Sequence, residues 1–280
     1  MRSSSVSAAA EGADPGADAA IAGIEAAVGT ALGPYARVLP PGRAMALLGL
    51  RALEPAYRRA RALSGSAPDP QTHDGRPGFD AALLDALEID WRITAGSPGA
   101  IPATGPLMVV GNHPTGGVEG LIMAAVVDAR RSDRLALGNA AVGLLPEIGR
   151  HQIGIDNRTK RGNLPALRRA ATHLAAGGVV TTFPAGTVAH LRWSRGRVQD
   201  APWHRGIARL ALGAGACVLP VHFEAQAGAL WHCLAPFSRT ARSLLLARAL
   251  LHQRGRRIDL RIGTPLYDRD RIASLFARYD

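Results

Sequence analysis

Lysine is nearly absent from this 280-residue chain. Lys160 is the only one, so arginine carries almost all the positive charge behind a net charge of +11. Aromatic residues make up 5%, so a core has to be built mainly from Ala, Val, Leu and Ile. Two cysteines occur, Cys217 and Cys233, each in an apolar run. That excludes a disulfide framework and predicts free, inert thiols in a reducing compartment. No spacing of ligating residues suits zinc. No run of about 18 uninterrupted apolar residues exists, which argues against a membrane-spanning helix. Arg2 has no apolar stretch behind it, which argues against a secretory signal. The expected location is the cytoplasm, with the cell membrane met peripherally, from its inner face.

Apolar residues account for 47% of the chain, enough for a substantial core. A strongly basic surface seeks anionic partners: nucleic acid, lipid headgroups or an acidic carrier protein. The plainer alternative is a compositional habit, with arginines solvated singly on helices. No zinc-finger, Walker or RNA-recognition pattern is present, so no specific nucleic-acid partner is expected. Oligomeric state is not legible.

Residues 1–20, rich in Ser, Ala, Gly and Asp, read as a disordered tail. Residues 21–63 read as a helical N-terminal segment cut by Pro34, Pro40, Pro41 and Pro55. Its apolar stretch 44–53, with arginines around it, suits a headgroup boundary or packing on the main domain. Residues 64–78 read as a linker. From 79 to 280 strand and helix patterns alternate: strands at 89–93, 107–110, 134–137, 179–183, 217–223, 230–234 and 257–262, helices at 79–87, 119–129, 164–176, 206–212 and 241–253. This predicts an α/β fold with a mostly parallel central sheet flanked by helices.

The strongest chemical signal is Gly111-Asn112-His113-Pro114-Thr115-Gly116-Gly117-Val118-Glu119-Gly120, which follows an apolar strand and precedes an apolar helix. A histidine at a strand's C-terminal end faces the crevice where α/β sheets bind ligands. Two glycines let the chain fold back, bringing Glu119 toward the imidazole. A carboxylate on one ring nitrogen leaves the other to take a proton. The plainer reading is a histidine that caps the helix.

This segment resembles the first motif of the glycerolipid (lysophospholipid) acyltransferase superfamily, nearest its hemolysin-like bacterial branch. Residues 101–106 resemble the family's lead-in, Gly154-Ile155-Asp156-Asn157-Arg158 stands in the place of the second motif, and Phe183-Pro184-Ala185-Gly186-Thr187 is similar to the third. The strand 218–224, with Pro220 at its centre, resembles the fourth, and Trp203-His204-Arg205-Gly206 also fits. The likeness spans roughly residues 79–265. It implies an O- or N-acyltransferase of lipid metabolism, acting in phospholipid biosynthesis. Acyl-CoA or acyl carrier protein would be the co-substrate, and no bound cofactor or metal is implied. His113 would be the general base and Glu119 its orienting acid. Asn112, Gly116, Gly117, Asp156, Arg158, Phe183, Pro184, Gly186 and Thr187 would contact substrate, with the Gly186 and Thr187 amides able to hold an anion. Pro220 would shape the acyl-chain side of the cleft.

Two departures stand out. The family spacing His-x4-Asp places the acid at 118, which is Val here; the carboxylate comes one residue later, as Glu119. The third motif has Ala185 where Glu is usual and Val188 where a basic residue is common. These losses argue against a phosphate-bearing acceptor and favour one such as an aminoacyl lipid. Two other classes stay open: a thioesterase or hydrolase of acyl thioesters, although no Gly-x-Ser-x-Gly elbow occurs, and a non-catalytic membrane-binding relative. The arginines 192, 195 and 197, with Trp193, could receive a CoA phosphate, a carrier protein or lipid, or could form a solvated loop.

Overall fold

The computed structural model describes residues 14–65, 76–156, 161–192, 196–228 and 246–279. Its centre is β2 (Leu107–Gly111), whose five residues are all buried. An apolar run with no polar alternation suits a strand covered on both faces. Alternate side chains serve the two faces. Leu107 and Val109 join one apolar cluster, and Met108 and Val110 join the other.

The sheet has seven strands in the order β1-β9-β8-β2-β5-β3-β4. The other members are β1 (Asp90–Ala95), β3 (Arg134–Asn139), β4 (Gln152–Ile155), β5 (Val179–Thr182), β8 (Cys217–Glu224) and β9 (Arg257–Ile262). Every pairing is parallel except β8 with β9. Leu107 is level with both Val179 and Cys217, so β5, β2 and β8 start level and run the same way, with β8 continuing to Glu224. Their shared C-terminal edge is where a ligand crevice forms.

One face carries α4 (Phe79–Ala86) and α5 (Val118–Asp128); the other carries α7 (Leu164–Ala175), α8 (Arg205–Gly213) and α10 (Arg269–Ala277). A one-turn helix α6 (Pro146–Gly149) precedes β4, and α9 (Leu246–Leu251) precedes β9. The fold expected from the sequence is the fold observed.

Differences lie at the margins. Helix α1 (Pro15–Leu32) begins inside the stretch read as tail; Asp14 caps it through the Gly16 and Ala17 amides, and Pro15 opens it. Helices α2 (Pro41–Leu47) and α3 (Leu50–Ser64) meet at Gly49, whose φ of +82° breaks the apolar stretch 44–53 between two helices. Helix α3 rests on the α/β body. Tyr57 donates to Glu147 at 3.0 Å and meets Phe79 edge-on, while buried Arg61 pairs with Glu147 and Asp14. Strand β4, helix α10 and the hairpin β6 (His190–Arg192) to β7 (Arg197–Gln199) were not expected; the hairpin stands in the stretch read as a basic loop. The strand expected at 230–234 and the first half of the helix expected at 241–253 lie outside the described residues. Among the described residues no helix is long and apolar enough to cross a membrane.

Candidate active site

Strand β2 ends at Gly111, where the surroundings are closely packed. A Cβ there would lie 2.9 Å from Met123 Cε and 3.2 Å from Phe223. Asn112 then turns its carboxamide onto β8. Its Nδ2 donates to the Phe223 carbonyl at 3.0 Å, and its Oδ1 accepts the Phe223 N–H at 2.7 Å. The side chain thus continues the ladder past the strand's end, and its polar atoms serve the fold.

His113 follows at the rim of the crevice, its side chain 18% exposed. Its ring stacks on Phe183 with centroids 4.4 Å apart and planes 8° from parallel. Its Nδ1 lies 2.7 Å from Glu119 Oε1. The one-residue displacement of the acid therefore does not prevent the contact; a longer side chain on a folded-back loop reaches the imidazole.

Glu119 is 1% exposed and sits in the first turn of α5. Its Oε1 also accepts the Thr115 amide at 2.9 Å and the Gly116 amide at 3.0 Å; its Oε2 accepts the Gly117 amide at 3.3 Å and the Thr115 hydroxyl. Amides ahead of a helix have no partner inside it, and this loop aims three of them inward. Gly116 makes that possible with φ +99°, where a Cβ would also strike Leu246 at 2.9 Å and Val188 at 3.1 Å. Burial alone would push the Glu119 carboxyl up. The charge and hydrogen bond of His113, the Thr115 hydroxyl and the Gly116 amide outweigh it, holding the carboxyl at about 2. A charged acceptor at Nδ1 fixes the tautomer with the lone pair on Nε2.

The Acyltransferase family model matches residues 82–277. The chain belongs to this acyltransferase family. The superfamily read from the four motifs thus holds. Among solved structures, the 1-acyl-sn-glycerophosphate (LPA) acyltransferase PlsC from Thermotoga maritima is similar, with 16% identity, a TM-score of 0.41, and coverage of 83% of this chain and 94% of that one. No curated protein matches.

The rest of the acyltransferase crevice is uneven. Phe183 follows β5 and backs the imidazole. Pro184 is buried, and its carbonyl accepts the His204 amide at 3.0 Å. The Gly186 amide, expected to hold an anion, instead closes a turn onto the Phe183 carbonyl at 2.9 Å, with Gly186 at φ +64°. A donor already bonded within a tight turn is spent. Thr187 is half-buried beside it. Ala185 and Val188, which stand where the family has charged residues, are 3% and 5% exposed and belong to apolar clusters. Pro220 lies level with Val110 in β8, and only a glycine at 263 leaves room for its ring.

Asp156 is not brought to His113. It directly follows β4, three strands from β2, and at about 4.8 Å per strand the separation is roughly 14 Å. Its backbone is held there by reciprocal bonds with the Asn163 carboxamide, each 2.8 Å. Arg158 lies outside the described residues. The residue that sequence reading missed is Asp200, whose carboxylate accepts the His113 backbone N–H at 3.1 Å. Its only sequence cue was its place just ahead of the Trp203-His204-Arg205-Gly206 match.

Proposed function

We propose that this acyltransferase moves a fatty acyl group from an acyl thioester onto the hydroxyl or amine of a lipid-like acceptor, with His113 as general base and Glu119 as its orienting acid. The observation that carries the reading is the 2.7 Å contact between His113 Nδ1 and a buried, ionised Glu119. The acceptor's O–H or N–H attacks the thioester carbonyl while its proton passes to His113 Nε2. The tetrahedral intermediate then collapses, the C–S bond breaks, and the departing thiolate takes that proton. Glu119 stabilises the imidazolium formed in between. The acceptor is itself the nucleophile, so no covalent enzyme intermediate is needed.

The acceptor we propose carries no phosphate at the reacting end, as in an aminoacyl lysolipid. Support comes from the buried, apolar Ala185 and Val188 and from the occupied Gly186 amide. This would place the chain nearest the hemolysin-like branch. The donor would be acyl-CoA or acyl carrier protein. We further propose peripheral attachment to the inner face of the cell membrane through α2 and its approach, where Val38 and Leu47 are 84% and 58% exposed and arginines 37 and 43 are exposed in the same stretch.

The test pairs palmitoyl-CoA, or palmitoyl acyl carrier protein, with lysophosphatidate, glycerol 3-phosphate and an aminoacyl lysolipid. Acylation should be fastest on the aminoacyl lysolipid, and His113→Ala should lose about 10²–10⁴-fold in turnover with its fold intact. Faster transfer to lysophosphatidate would overturn the acceptor; undiminished activity in His113→Ala would overturn the base.

A further inference from the structure

The loop that carries His113 is held at its own backbone by a carboxylate from far along the chain. Asp200 lies between β7 and α8. Its Oδ1 and Oδ2 stand 3.1 and 3.3 Å from the His113 nitrogen, and Oδ2 also accepts the Trp203 indole N–H at 3.0 Å. Trp203 is 2% exposed. It stacks on Tyr279 with centroids 3.9 Å apart and meets Phe276 edge-on at 5.4 Å. Asp200 is therefore braced from the C-terminal helix. Burial pushes its carboxyl above the usual carboxylate range, and the Trp203 and His113 bonds oppose that push.

We propose that Asp200 is a positioning residue for acyl transfer, fixing the His113 peptide so that the ring keeps Glu119 and Phe183 together. This rests on His113 acting as the base. The ring has to meet two conditions at once, a 2.7 Å bond at Nδ1 and a face-on stack at 4.4 Å. Rotation of the preceding peptide would swing the imidazole off both. Two N–H donors converge on this carboxylate, one from backbone and one from indole, so the site needs an acceptor with no hydrogens of its own. Ionised Asp supplies this; Asn supplies one oxygen and a mismatched NH₂; Ala supplies nothing.

The experiment uses full-length protein with Asp200→Asn and Asp200→Ala. Turnover is measured with palmitoyl-CoA and an aminoacyl lysolipid. The His113 Nδ1 proton is followed by ¹⁵N-histidine NMR and assigned by its loss in His113→Ala. Asp200→Ala should lose about 10²-fold in kcat, as a small misplacement of a reacting group can, with KM for palmitoyl-CoA unchanged. The Nδ1 resonance should shift or broaden, and Asp200→Asn should recover part of both. A wild-type kcat per folded molecule and a wild-type Nδ1 resonance in Asp200→Ala, even with a lowered melting temperature, would reduce Asp200 to a structural residue and overturn the proposal. If the Ala variant does not fold, Asp200→Asn carries both readouts, and an Asn variant identical to wild type in both overturns it. An active His113→Ala would instead overturn the reading beneath the proposal, so the two failures are distinguishable.

Discussion

Replacing Glu119 with Gln separates what its charge does from what its shape does. Gln can keep its carbonyl oxygen where Oε1 lies, facing His113 Nδ1, the Thr115 amide and the Gly116 amide. Its NH₂ then faces the Gly117 amide, and the Thr115 hydroxyl must rotate to accept. One buried donor loses its acceptor, and several charge-assisted bonds become neutral, a cost of about 2–4 kcal/mol. The pH dependence is sharper still. The Glu119 carboxyl is held down from 4.5 to about 2, which at 1.36 kcal/mol per pH unit amounts to about 3 kcal/mol of linked stability. A depressed acid contributes fully above its unfolded value and is lost as pH falls through the folded one. The wild type should therefore lose about 3 kcal/mol between pH 4.5 and 2 that the Gln variant does not lose. Urea unfolding at stepped pH measures the difference, which cancels the other carboxylates. Turnover of the variant should drop about 10²-fold or more, because a neutral amide cannot offset an imidazolium. Parallel stability curves for the two proteins, or an unimpaired Gln variant, would refute the reasoning.

Gly116→Ala should destabilise by about 2 kcal/mol or more and lower activity, because φ +99° and the contacts with Leu246 and Val188 leave no room for a methyl group; chemical denaturation measures it. Arg61→Met should cost about 3–5 kcal/mol by stranding the buried Glu147 carboxylate. The Arg61 variant should keep its turnover per folded molecule, since this pair lies beneath the N-terminal helices; a proportionate fall in kcat would contradict that separation. Asn112→Ala should weaken folding and slow catalysis together, because it removes both bonds to Phe223; a KM effect alone would show a substrate contact instead.

The sheet's centre was legible because β2 is buried on both faces and its run Leu107–Val110 shows nothing but apolar residues. The His113 loop was legible because a glycine pair between a strand and a helix is the mark of a sharp fold-back, which only glycine makes without strain. Strand β4 and the β6–β7 hairpin were not, since strands of three or four residues set up no period to read. The start of α1 was missed despite its signal: Asp14-Pro15 is a cap followed by a helix-opening proline, masked by an Ala- and Gly-rich neighbourhood. Asp200 was illegible for a different reason. Its partner is a backbone amide 87 residues away, and a backbone amide carries no residue-type signature. The distance of Asp156 from His113 was not legible because motif order along the chain says nothing of strand order across the sheet, which sets β4 beyond β5 and β3.

The face-to-face seat of the imidazole on Phe183 has a directional consequence. An imidazole gives or takes a proton at a nitrogen in the plane of its own ring, and the Phe183 stack closes one of the two faces beside that plane. On the proposed mechanism the nucleophile reaches Nε2 along the imidazole plane, from the side Phe183 leaves open, and a bulkier or smaller side chain at 183 would re-aim the ring without altering its chemistry.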